Sequence, residues 1–203
     1  MGKKGEASRN RLLAAAEELF ASQGMNGTTV SAIVAKAGLT QAAFYLYFNS
    51  KEELMEELLR RFGEMLDAYV NAGSQAARYP RSRLEHYVTS SFTGMFELLS
   101  RNPNLTRIAL QDTRAGERYR ERIVGQIAEN MRRNKALGIV DESVDPQIAA
   151  ESVVASVERL ISRYVVSGEK TAEELGRQAA RLFLNGILAR RGSGTDAEGG
   201  ERS

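Results

Sequence analysis

The chain has 203 residues, 42% hydrophobic and 27% charged, with a net charge of +2. That balance is ordinary for a globular protein, and helix formers dominate over only three prolines. The absence of cysteine and the presence of a single histidine, His86, exclude disulfides, thiol chemistry and a His/Cys zinc site.

No apolar run reaches the ~20 residues that span a bilayer, and the first ten residues, MGKKGEASRN, lack the apolar core of a signal peptide. A cytoplasmic location is expected. Charge is unevenly placed. Met1–Lys51 carries six Lys/Arg against three Glu, whereas the remainder carries 22 basic against 23 acidic residues. A basic end is a mild pointer to a polyanionic partner.

Leu12, Ala16, Leu19 and Phe20 recur at helical spacing and predict a first helix over Glu6–Gln23, with Gly24 as its stop. Thr28 or Thr29 can cap a second helix, Val30–Ala37, which Gly38 ends. Thr40 caps a short third helix, Gln41–Leu46. Ser50 and Glu53 have the spacing of a capping box opening a long helix, Lys51–Ala72. Gly73–Ser82 is expected to be a polar linker. Further helices follow over Arg83–Ser100, from Pro103 to about Asp112, and from about Ala115 to Gly138. Asp145 and Pro146 start another, running to about Ser167. Thr171 and Glu174 open the last, running to about Arg190, before a Gly/Ser/acid-rich tail. The expected fold is all-α, with about nine helices.

Two short helices joined by AGLT have the form of a helix-turn-helix. Val30, Ile33, Leu39, Phe44 and Phe48 supply inner faces. Gln41, Ala42 and Ala43 leave the third helix short and polar outside, as entry into a ~12 Å major groove requires.

The stretch Ala15–Leu54 resembles the N-terminal domain of the tetracycline-repressor (TetR) family of transcription regulators. The likeness rests on Leu19, Phe20, Gly24, Thr28, Thr29, Val30, Ile33, Ala37, Gly38, Leu39, Thr40, Phe44, Tyr45, Tyr47, Phe48, Lys51, Glu52 and Leu54. Val34 and Met25 depart from the family's usual small and aromatic residues, but both stay apolar.

The resemblance implies a DNA-binding domain over residues 1–50, a larger helical ligand-binding and dimerisation domain over 51–191, and a disordered tail over 192–203. It implies a homodimeric repressor on a (pseudo)palindromic double-stranded operator, released by a hydrophobic small-molecule effector such as a fatty acyl-CoA. Thr29, Thr40, Tyr45, Tyr47 and Lys51 would meet phosphates, and Gln41 and Ala42 would meet base edges. Lys3, Lys4, Arg9 and Arg11 would form a flexible basic arm.

Met65, Tyr69, Phe92, Met95, Phe96, Leu99, Leu110, Tyr119, Ile127 and Met131 are the candidate ligand contacts, with His86, Thr89, Thr93 and Gln111 as polar neighbours. Val153, Val157, Leu160, Ile161, Tyr164, Leu175, Ala180, Phe183 and Ile187 are the candidate dimer contacts.

No metal site or cofactor motif is expected. No enzyme is expected either, because no Glu-x-x-His or paired-carboxylate pattern occurs. The competing reading is an effector-independent DNA-binding factor with an architectural or cell-division-linked role.

Overall fold

Nine α-helices make up the fold over residues 3–111, 113–165 and 167–185, which the computed structural model describes. They are α1 (Lys3–Gly27), α2 (Val30–Ala37), α3 (Gln41–Tyr45), α4 (Lys51–Val70), α5 (Arg81–Arg101), α6 (Pro103–Ala109), α7 (Arg114–Ala136), α8 (Pro146–Leu160) and α9 (Ala172–Asn185). Among the described residues there are no strands.

Local chemistry sets most boundaries. Thr29, Thr40, Thr113 and Asp145 each accept a hydrogen bond from a backbone N–H in the first turn of the helix they precede. Thr171 and Glu174 cap each other: Thr171 N–H donates to the Glu174 carboxylate at 2.9 Å, and Glu174 N–H donates to Thr171 Oγ1 at 3.2 Å. The Ser50 box is shifted. Ser50 Oγ accepts from Glu53 N–H, but the Glu53 carboxylate caps Asn49 N–H instead of Ser50.

The structure departs from the sequence expectation in three places. Gly24 is non-helical (φ 72°), yet the chain resumes a turn to Gly27, so the first helix bends there and does not end. The expected linker is largely a 3-10 helix, Asn71–Arg78, with Ala76 buried against the body. The helix from Pro146 passes into a single π turn, Ile161–Val165, where i→i+5 bonding replaces the regular ladder. The expected end of the last helix beyond Asn185, and the tail, lie outside the described residues.

One continuous core joins the two ends of the chain. Leu12, Phe20, Ile33 and Phe44 belong to the same cluster as Leu54, Phe62, Phe96, Ile108 and Leu175. The helix α4 carries that continuity: it packs on α1 and also on α5, α6 and α7, and its Leu54, Leu58, Phe62, Leu66 and Val70 all belong to the cluster. α9 lies along α5, and α7 lies along α8.

A charge cluster ties α1 to α4. Glu57 pairs with Arg9 at 2.8 Å, Arg60 at 2.8 Å and Arg61 at 2.9 Å. Hydrogen bonding from Arg60, helped by Arg9 and Arg61, outweighs burial and pulls the Glu57 carboxyl from 4.5 down to about 2. Because the folded carboxyl titrates below the unfolded one, its contribution is complete above about pH 4.5 and is lost as pH falls toward about 2. Glu57→Gln should therefore lower stability by about 1 kcal/mol at pH 7. Denaturant melts at several pH values should show the difference from the parent shrinking across that acid window.

Candidate nucleic-acid interface and internal cavity

The turn between α2 and α3 is built on Gly38. Its φ of 62° is left-handed, and the reversed chain lets Gly38 N–H reach Ala35 O at 3.1 Å and Leu39 N–H reach Val34 O at 2.9 Å. Arg11 Nη2 donates to Gly38 O at 3.2 Å, so α1 braces the same turn.

The aromatic run after it divides by helical phase. Phe44 and Phe48, four apart, are buried in the core with ring centroids 5.9 Å apart. Tyr45 is 57% exposed, while Tyr47 is half-buried with its ring packed against the core. Thr29, Thr40, Gln41 and Ala42 are exposed on the same segment. Gln41 Nε2 is held by Ser31 Oγ at 2.7 Å, which joins the outer sides of α2 and α3.

Lys51 has a tertiary role that the sequence pattern does not disclose. Its Nζ donates to Met25 O and to Thr28 O, both at 2.9 Å, pinning the α4 start to the turn before α2. Two of the ammonium's three donors are thus used, and one remains for a phosphate. Lys51→Ala should cost about 1–2 kcal/mol of stability in the absence of DNA, read by chemical denaturation.

Two expectations change here. The basic arm is not free: the helix begins at Lys3, Arg9 is paired with Glu57 and lies 5.1 Å from the Phe48 ring centre, and Arg11 is spent on Gly38. Leu46, absent from the expected contact set, is 76% exposed beside Tyr45. Leu46 lies two residues from each of the inward pair Phe44 and Phe48, about 200° of helix away, which points it outward.

Beyond these helices lies a partly open cavity of about 330 Å³, lined from α4 to α9 and from the 3-10 helix. That volume suits a small ligand. Tyr69, Phe92, Met95 and Leu99 line it, as do Leu110, Ile127 and Met131. Met65 does not. It is 43% exposed, because it sits one residue, about 100° of helix, before the lining Leu66. Phe96 is fully buried but packs into the core beside the lining residues of α5. His86 is exposed, and neither it nor Thr89, Thr93 or Gln111 lines the cavity.

Several expected dimer contacts face inward. Val153, Val157, Ile161 and Phe183 line the cavity, with Phe183 stacked on Phe92 at 5.8 Å but still 38% exposed. Leu175 and Ala180 are buried within the chain, and Leu160 and Tyr164 are half-buried against its core. Ile187 lies outside the described residues. Ile148 and Leu182, 67% and 50% exposed, and Ala155 remain open on α8 and α9.

α6 and the residues flanking it connect the cavity wall to α1. Thr106, Ala109 and Leu110 line the cavity. Just beyond them, Gln111 Nε2 donates to Phe20 O of α1 at 2.7 Å. Asn104 hydrogen-bonds Glu17 of α1, whose carboxyl is pushed up by burial against that bond. Arg118 of α7 also pairs with Glu56 of α4.

Among the described residues no group of acidic and histidine side chains could hold a metal, and no helix is long and apolar enough to cross a membrane.

Comparison with known proteins agrees with this geometry. Residues 12–58 match the family of bacterial regulatory proteins, tetR family. The uncharacterized HTH-type transcriptional regulator YdgC of Bacillus subtilis (strain 168) is 29% identical, over 93% of this chain and 96% of that protein. The HTH-type transcriptional repressor KstR2 of Mycolicibacterium smegmatis is 27% identical, over 91% of this chain and 92% of that one. The fatty acid degradation regulator FadR from Bacillus halodurans shares the fold at a TM-score of 0.72 and 20% identity, covering 94% of this chain and 99% of that structure.

Proposed function

We propose that this chain, a TetR-family transcriptional regulator by its N-terminal domain, is a cytoplasmic homodimeric repressor that a predominantly apolar small molecule releases from its operator. The supporting observation is the layout: an exposed α3 surface, an apolar cavity, and α6, which lines the cavity and packs on α1. Residues 1–50 serve as the DNA-binding unit, and the helices from Lys51 onward serve ligand binding and dimerisation.

On duplex DNA, α3 enters the major groove. Gln41 leaves Ser31 to pair with an adenine edge, and Ala42 meets a thymine methyl. Thr29, Thr40, Tyr45, Tyr47 and the remaining Lys51 donor hold phosphates on either side. The open α8 and α9 surface around Ala155 and Leu182 pairs with its two-fold mate. Ligand in the cavity displaces α6. Through Gln111 and Asn104 this tilts α1, and with it the separation of the two recognition helices, which must match grooves about 34–36 Å apart.

Titrating the variants against the selected operator at several salt concentrations tests this. Tyr45→Phe and Lys51→Ala should weaken binding to all sequences, and Lys51→Ala should reduce the salt slope by about one. Gln41→Ala should relax preference at one base pair, removing about 1–3 kcal/mol of discrimination. Unchanged binding by all three would refute the interface. Operator affinity indifferent to every cavity ligand would favour the effector-independent reading.

A further inference from the structure

Exposure along α3 repeats every four residues. Phe44 and Phe48 are buried, while Gln41 with Tyr45, and Ala42 with Leu46, are exposed. Leu46 follows the last residue of α3 but keeps helical geometry, with φ −71° and ψ −21°. Phe48 N–H donates to Phe44 O at 3.0 Å, so the helical turn continues past Leu46. Leu46 therefore shares a stripe with Ala42, one turn further along. Two exposed stripes run side by side. Gln41 and Tyr45 offer an amide and a phenol, whereas Ala42 and Leu46 offer only carbon.

At 76%, Leu46 is the most exposed large hydrophobic side chain among the described residues. A lone exposed leucine says little. This one continues the surface that carries Gln41, Ala42 and Tyr45, and on that surface its chemistry is restrictive. It has no donor for a phosphate, and pressing it on one would strip water without replacing the hydrogen bonds. The apolar group that a base pair presents in the major groove is the thymine C5-methyl.

Resting on the reading of α3 as the recognition helix, we propose that Leu46 is a further specificity-determining residue, which takes a thymine methyl beyond the one that Ala42 meets. Four residues advance about 6 Å along a helix, less than two base-pair steps of about 3.4 Å. The two thymines therefore lie within two base pairs of each other. A helix that reads bases with its N-terminal residues leaves its last turn farther from them, and leucine reaches where alanine does not.

Deoxyuracil substitution tests this, because it removes the methyl and keeps the base pairing. The duplex is the one that the full chain enriches from a random pool, with its thymines replaced in turn, and the proteins are the parent and Leu46→Ala. At two nearby thymines of each half-site the parent should lose about fourfold in affinity per methyl, the worth of one buried carbon. Replacing the same thymine in both half-sites should cost about fifteenfold. Leu46→Ala removes an exposed side chain, so it should melt as the parent does. It should become indifferent to uracil at one of the two thymines and keep the loss at the other. A pattern of uracil sensitivity that Leu46→Ala leaves unchanged, or no more than one sensitive thymine per half-site in the parent, would overturn the inference and leave α3 standing as the recognition helix. If the chain enriches no duplex, the DNA-binding reading fails and the inference falls with it.

Discussion

Phe44→Ala should lower the unfolding free energy by about 3–5 kcal/mol and abolish operator binding together with it. Phe44 is fully buried in the five-residue α3, where no helix can persist on its own hydrogen bonds. Its ring meets Phe48 at 5.9 Å and Tyr45 edge-on at 5.3 Å, and it belongs to the cluster holding Leu12, Phe20 and Ile33. Removing the ring leaves a cavity where α1, α2 and α3 converge, so the exposed surface carrying Gln41 and Tyr45 loses its support. The loss should be read by denaturant titration and DNA binding on the same preparation. Tyr45→Phe is the control, since it keeps the edge-on ring contact and should be nearly silent in stability.

Gly176→Ala should destabilise by about 3 kcal/mol, the upper part of the usual range for overpacking. A Cβ at Gly176 would lie 2.7 Å from both the backbone N and the Cα of Thr93, and closer still to Thr93 Oγ1. A side-chain tip could rotate away, but the α5 backbone cannot, so α9 must lift from α5. That separation would also disturb Phe183 on Phe92 at the cavity wall. The expected signature is a lowered melting temperature together with weaker ligand binding. Gly125→Ala, on an exposed site with open space around it, should do neither.

What could be read from the residues, and what could not, follows from the range of the interactions. The caps at Thr29, Thr40, Asp145 and Thr171 are contacts within four residues, and the spacing shows them directly. The inward set of Phe44 and Phe48 follows from helical phase. Periodicity also finds the apolar stripe of α8, but it cannot say what that stripe meets. Val153, Val157 and Ile161 face a cavity inside the same chain, where a partner helix would have satisfied the same pattern. Lys51 shows the same limit: its bonds run to carbonyls 23 and 26 residues away. Met65 falls on the exposed edge of the α4 stripe, and in Asn71–Arg78 polar and glycine residues conceal a 3-10 helix. Tyr119 is among the expected pocket aromatics and does line the cavity, but only the fold shows that its hydroxyl is buried and, among the described residues, unpaired.

The most direct test of the account is selection of bound duplexes from a random DNA pool by the full chain, with and without an apolar small molecule that occupies the cavity. The account predicts enrichment of a two-fold symmetric site whose half-sites are centred about one or more helical turns apart, with recovery reduced by the ligand. Failure to enrich any symmetric sequence would contradict it.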